Sequence, residues 1–296
     1  MRRVTLFIVS ALLLAILCTG CFSPGKKNAI VIGAKNYTEQ DILGNTLKYL
    51  IEEHTGLSAT VKFNLDSLLA FEGVKSGEID LYVDYTGTVY GNYFGYREKR
   101  TPLEIYNICR QELKERFNLL MLNQLGFNNT YTLSIRRDTA VMYNLKTISD
   151  LAKVASLLTM GASIESLNRE DSVRGITRVY GMNFKREVAV EGSLRYTAIE
   201  NNEIQVTDAF STDGLTMKYD LLVLEDDLEF FPSYHSAVII SQNTADKYPN
   251  LLTVLDMLSG KLSDDRMRAL NYRVDVLQED PQIVAMDFLK EAGLVK

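Results

Sequence analysis

Three short apolar runs alternate with two amphipathic ones between Asn28 and Asp84, and that alternation restricts the chain to an α/β fold. Ala29-Ile30-Val31-Ile32-Gly33-Ala34 is apolar up to a polar turn, the pattern of a buried strand. Thr38 reads as the cap of a helix whose first turn holds Glu39 and Asp41, acids that favour the positive end of a helix dipole. Ile42, Leu43, Leu47, Leu50 and Ile51 then recur at helical spacing up to a stop near Gly56. Strands are predicted over 60–63 and 79–83, with a helix from Ser67 to Lys75 between them and right-handed crossovers throughout. The pattern returns later, with strands over 157–160, 187–190, 205–210 and 221–224 and helices over 174–180 and 194–200. Residues 244–292 read mostly as amphipathic helix. Two α/β units of about 100 residues each fit the 296 residues of the chain.

The first twenty residues read as an address. Arg2 and Arg3 precede an apolar run, 4–17, that carries no acid; it is short for a membrane span and the right length for a secretory leader. Cys18-Thr19-Gly20-Cys21 resembles the bacterial lipobox, although Cys18 stands where leucine is usual. The resemblance implies cleavage after Gly20, lipid on Cys21, a tether over 21–28, and a place on the extracytoplasmic face of the cell membrane. Leu17 is too bulky for Cys18 to take that role. Cys109 is then a single thiol, so no disulfide framework is expected.

A formal charge of −6 gives no general electrostatic reason to bind nucleic acid. With two histidines and three cysteines, ligands for a metal are few, and no cofactor is expected. No Gly-x-Ser-x-Gly elbow, His-Glu-x-x-His, Walker A loop or Gly-x-Gly-x-x-Gly is present. His54 reads as the solvated end of a helix, His235 as part of a crossover, and Glu225-Asp226-Asp227 as a solvated turn. Nothing assembles a nucleophile, a base and an oxyanion hole, so no enzyme is expected.

The chain has 16 Tyr and no Trp. Four of these tyrosines stand at predicted loops or element ends: Tyr85 in Asp84-Tyr85-Thr86-Gly87-Thr88, placed just after the strand 79–83; Tyr131 after Asn128-Asn129-Thr130; Tyr196; and Tyr219. Rings converging from two lobes form a cage for a cation, each contact worth about 0.5–2 kcal/mol. A quaternary ammonium has no N–H to donate, so π-faces suit it.

Gly33-Ala34-Lys35-Asn36-Tyr37-Thr38-Glu39-Gln40 resembles the opening strand-to-helix turn of the osmoprotectant-binding proteins of ABC importers, those for glycine betaine, choline and carnitine. Residues 71–80 running into Asp84-Tyr85-Thr86-Gly87-Thr88 are similar to the same family, as are residues 126–131, Ser211-Thr212-Asp213-Gly214, 224–227 and Phe230-Phe231-Pro232, in family order. The resemblance implies a two-lobed, type II periplasmic-binding-protein fold, with lobe one over 29–132 plus 235–296 and lobe two over 133–234. It implies a cage of Tyr85, Tyr131 and Tyr196, with Tyr219 as fourth wall and Phe210 or Tyr234 as alternatives. The Asn129 carbonyl would face the ligand's methyl groups. Lys35, Thr88 and Arg169 match the positions that hold a carboxylate, Arg169 being the one able to do so in bidentate fashion.

Two departures stand out. Asn64-Leu65-Asp66-Ser67 replaces a Gly-rich turn, and Phe210 stands where the family usually has tyrosine. Asp66 would place an acid near the cleft and favour choline over zwitterionic betaines. The expected function is capture of a quaternary ammonium compound by a monomeric, lipid-anchored protein and delivery to a membrane permease. The same fold with another solute such as an amino acid, a cell-surface hydrolase, and a sensory or adhesive lipoprotein are the alternatives.

Overall fold

The computed structural model describes residues 29–168, 170, 172–190 and 194–296. The leader, the lipobox with Cys21, the tether up to residue 28 and Arg169 lie outside them. Among the described residues no helix is long and apolar enough to cross a membrane.

Strand β1 (Ala29–Lys35) leads through helix α1 (Thr38–Thr55) to β2 (Ser58–Leu65), and through α2 (Ser67–Ser76) to β3 (Leu81–Tyr85). β2 and β3 both pair parallel with β1, as alternating strands and crossover helices require. A wide π-type turn over Thr88–Tyr93 and helix α3 (Pro102–Phe117) precede β4 (Leu119–Asn128). The chain then builds β5 (Tyr131–Arg136), β6 (Thr159–Ala162), β7 (Arg186–Ala189), β8 (Val206–Phe210) and β9 (Leu221–Val223), and returns as β10 (His235–Ser241). The first sheet runs β2-β1-β3-β10-β4 and the second β7-β6-β8-β5-β9. Mixed α/β is therefore the fold class, with two sheets flanked by helices.

Apolar side chains fill both faces of the first sheet. Ile30, Ile32, Val83 and Val238 pack under Leu43, Leu47 and Ile51 of α1, while Tyr82 and Ile239 face Phe71 of α2 and Leu113 of α3. Around the second sheet Leu133, Ile135, Met160 and Val206 pack with Ile148, Leu151 and Ile176.

Local chemistry fixes the turns. Gly56 ends α1 at φ 69°, and α3 opens on a reciprocal capping box between Thr101 and Glu104 with Pro102 at its start. Asn64 sits at φ 61°; asparagine tolerates this left-handed conformation, so the turn before α2 forms without a Gly. Thr38 is not the cap of α1. Tyr37 occupies that position without a side-chain bond, and the Thr38 hydroxyl donates instead to Asp275 at 2.5 Å. The third strand also runs two residues later than its hydrophobic run suggests, so Asp84 and Tyr85 are strand residues, both buried.

The chain crosses between the sheets at Asn129-Thr130 and returns through Pro232-Ser233-Tyr234. The two crossings hold each other: Asn129 N donates to the Tyr234 carbonyl (3.2 Å), Tyr234 N to Asn128 Oδ1 (2.7 Å) and Thr130 Oγ1 to the Pro232 carbonyl (3.1 Å). A third contact comes from the helix Asp264–Asp275, where Arg268 donates to the Ser211 carbonyl through Nε (2.9 Å) and Nη2 (2.6 Å). The turn approaches so closely that a Cβ on Gly214 would lie 2.5 Å from the Tyr272 backbone nitrogen.

Candidate functional site

The parallel strands β1, β2 and β3 all end on the same side as the crossings, the place where open α/β sheets bind ligands. Lys35 ends β1 and is almost fully buried. Its ammonium ion-pairs with Asp84, whose other oxygen accepts the hydroxyls of Tyr82 (2.8 Å) and Tyr93 (2.9 Å). The same ammonium lies 5.2 Å from the centre of the Tyr85 ring. Lys35 is thus a buried cation whose charge is paired with Asp84.

Tyr85 is 4% exposed and packs edge-on to Phe127 at 6.3 Å. Its hydroxyl donates to Glu39 Oε1 (2.5 Å) and accepts from Gln40 Nε2 (3.1 Å). Asn129 Nδ2 also donates to Glu39 Oε1 (2.9 Å), and Asn271 Nδ2 to Oε2 (3.1 Å). Burial raises the Glu39 carboxyl above the ordinary value, while the hydrogen bonds from Tyr85, Thr212, Asn129 and Asn271 work the other way. Glu39, read from sequence as a helix-dipole acid, is a buried hub. Only its place in the Lys35–Gln40 motif could have signalled that.

Tyr131 opens β5 and pairs in register with Phe210 at the end of β8. Their rings lie 4.7 Å apart, and Phe231 lies 6.0 Å from Tyr131. Phe210 is 39% exposed, a large ring left open at the junction of the sheets. The phenylalanine pair Phe230–Phe231 is held from Asp226, which accepts the Tyr180 hydroxyl and Phe231 N (2.8 Å); Asp227 accepts Ser149 N (3.1 Å). Within the acidic run 225–227, Asp226 thus ties down the aromatic wall, while Glu225 and Asp227 are exposed as a solvated turn requires.

Tyr196 and Tyr219 stand apart from these rings. They stack on each other at 5.5 Å in a separate cluster with Ile199, Ile204 and Leu221, and the buried Tyr196 hydroxyl donates to Asp213. The structure thus brings Tyr131, Phe210 and Phe231 together, sets Tyr85 behind the crossing with Asn129, and pairs Tyr196 with Tyr219 elsewhere. Thr88 is buried at the head of the π-type turn. Asp66 is exposed and caps α2, accepting Leu69 N at 2.8 Å. His54 is exposed in the last turn of α1, as expected, and its Nε2 also lies 2.6 Å from the Leu294 carbonyl. His235 opens β10, and burial lowers its pKa.

A cavity of about 1190 Å³ opens beside the crossings, walled by Tyr131, Phe230, Phe231, Tyr234, Gly87 and His235. Of the tyrosines expected in a cage, Tyr131 and the alternative Tyr234 line it, whereas Tyr85, Tyr196 and Tyr219 do not. Gly87 has no room for a side chain, since a Cβ there would lie 2.8 Å from the Ser233 carbonyl oxygen and the Tyr234 ring.

Two sheets joined by paired crossings, with an aromatic wall and a cavity at the junction, define a two-lobed binding protein. Residues 28–291 match the family model of the substrate binding domain of ABC-type glycine betaine transport systems, and the chain belongs to that family. The carnitine transport binding protein OpuCC of Listeria monocytogenes is 35% identical over 98% of this chain and 96% of its own. The ergothioneine transport permease/binding protein EgtU of Helicobacter pylori is 34% identical over 91% of this chain and 48% of its own length. A crystal structure of a glycine betaine/carnitine/choline ABC transporter component superposes with a TM-score of 0.86 at 31% identity, covering 90% of this chain and 99% of that one. The chain is thus the substrate-binding component of an ABC importer, an extracytoplasmic, membrane-associated protein of a family of transport proteins rather than enzymes.

Proposed function

We propose that the protein captures a quaternary ammonium compound against the Tyr131–Phe210–Phe231 wall and delivers it, unreacted, to its permease. The observation that carries this reading is the convergence of three rings, one of them openly exposed, at the junction of the two sheets. Tyr85 completes the site from the β3 side, with the Asn129 carbonyl beside it. Phe210, the alternative to Tyr219 as fourth wall, and Phe231 take the part expected of Tyr196 and Tyr219, which stack on each other. Lobe one comprises 29–132 plus 235–296 and lobe two 133–234, turning on the two crossings. Lys35, Thr88 and Arg169 are the groups offered to a ligand carboxylate, with Lys35 available only if Asp84 shares it. Asp66 contributes chiefly as a helix cap. The protein works as a monomer, tethered by lipid on Cys21.

Isothermal titration of residues 22–296 with choline, glycine betaine, carnitine and ergothioneine tests this. Binding of at least one that weakens on Tyr131→Ala or Phe210→Ala supports the wall. No heat with any of the four would remove the proposed ligand class.

A further inference from the structure

Glu39 is buried, at 3% exposure, and among the described residues it makes no ion pair. The other buried acids nearby are matched. Asp84 is paired with Lys35, and Asp208 lies 3.8 Å from Arg195. The Tyr85 hydroxyl, Asn129 Nδ2 and Asn271 Nδ2, which donate to Glu39, are all neutral. Both amides turn their nitrogens to the carboxylate, and both leave a buried carbonyl Oδ1 with no hydrogen-bond partner among the described residues. Two unpartnered acceptors and one uncompensated carboxylate form a buried, electron-rich region behind Tyr85. Such an arrangement opposes folding, because a buried charge without a counter-ion is costly. Its sense lies in what it offers a ligand.

We propose that Glu39 is the counter-charge of the bound cation, acting through Tyr85 as a positioning residue. The proposal rests on the quaternary ammonium reading above. A phenol that donates to a carboxylate gains electron density on its ring, which strengthens the attraction of the π-face for a cation. The carboxylate also acts directly through a medium of low dielectric, where charges a few ångströms apart interact strongly. Hydrogen bonding to Tyr85 and Asn129 fixes both groups relative to the crossing. Lys35, on the same ring, does not cancel this field because Asp84 holds it. The net charge at the base of the site is therefore negative before ligand arrives.

The test separates charge from shape. Choline is titrated beside its carbon isostere, the alcohol in which a tert-butyl group replaces trimethylammonium, against the wild type, Glu39→Gln and Tyr85→Phe. Glu39→Gln is expected to weaken choline about tenfold or more, while the isostere changes by less than about twofold. Tyr85→Phe, which keeps ring and carboxylate but breaks their link, should weaken choline selectively and less. It also carries the test if Glu39→Gln does not fold. An equal loss for choline and the isostere would show a purely structural role and overturn the proposal, as would unchanged choline affinity in both variants. Glycine betaine and its tert-butyl isostere repeat the comparison if choline is not the ligand. A wild type that binds none of the cations removes the proposed function itself, an outcome distinct from binding that ignores Glu39.

Discussion

Tyr131 and Tyr196 are both tyrosines near the junction, yet their surroundings give them different work. Tyr131 faces Phe210 and Phe231 and lines the cavity, so Tyr131→Ala should weaken ligand about twofold to thirtyfold, the range set by 0.5–2 kcal/mol per π contact, with little change in melting. Tyr196→Phe removes a buried hydroxyl from Asp213 and should cost about 1 kcal/mol or more of stability while leaving affinity within about twofold. Titration and thermal melting of both variants decide the assignment; the reverse pattern would return the wall to Tyr196. Cys109 offers a separate check. Burial pushes its thiol up to about 12, and its Sγ lies against the Thr86 carbonyl at 3.5 Å. The folded protein should resist alkylation at pH 8 and react only when denatured. The sign for stability follows: above the ordinary thiol range the unfolded chain releases a proton that the folded chain retains. Stability therefore falls as pH rises toward about 12.

Helix α2 shows how an element reads at two levels. Its existence and its end at Gly77 follow from apolar spacing and a glycine at φ 82°, but the work of Asp66 does not. An acid beside the expected cleft suggested ligand selectivity; the structure spends one of its oxygens on the Leu69 amide. Asp66→Ala should therefore cost about 1 kcal/mol in denaturant melting, whereas Asp66→Asn and Asp66→Ser should recover most of it. Periodicity made β1 to β3 and β6 to β9 legible, with the helices 38–55, 67–76, 173–179 and 194–200, their ends displaced by a residue or two; β4, β10 and the helix Pro102–Phe117 were not read from it. It also missed polar groups turned inward. Asp84 looked like the start of a loop because acids usually mark strand ends, yet it is a strand residue matched to Lys35 from a neighbouring strand. Glu39 and Asp226 were hidden for the same reason, since their partners are 46 or more residues away in the case of Tyr85 and Tyr180. The aromatic site was partly legible. Tyr131 lay in a recognisable motif, while the Phe210 pairing depends on the register of β5 with β8, which no local pattern contains.

At the scale of the whole molecule the two sheets are joined by paired crossings and by the helix Asp264–Asp275 resting on the Ser211–Gly214 turn. That helix donates through Asn271 both to Glu39 and to the Thr212 carbonyl, so one amide spans the two halves. A ligand that touches both halves shifts the population toward the form in which they are together, and only as far as it prefers that form. Saturation at about 100 times Kd should stabilise the native state by about 2.7 kcal/mol. For a chain of this size that is a rise in Tm of about 5–10 °C, in a single transition if the halves unfold as one unit. Gly214→Ala tests the connection. A Cβ there meets the Tyr272 backbone at 2.5 Å, so the helix and the turn must part. The variant is expected to keep the two apolar cores, lose part of the ligand-induced rise in Tm, and show a larger radius of gyration with ligand than the wild type. An unchanged ligand response would mean that the crossings alone couple the lobes, and that the contact of this helix serves stability without governing closure.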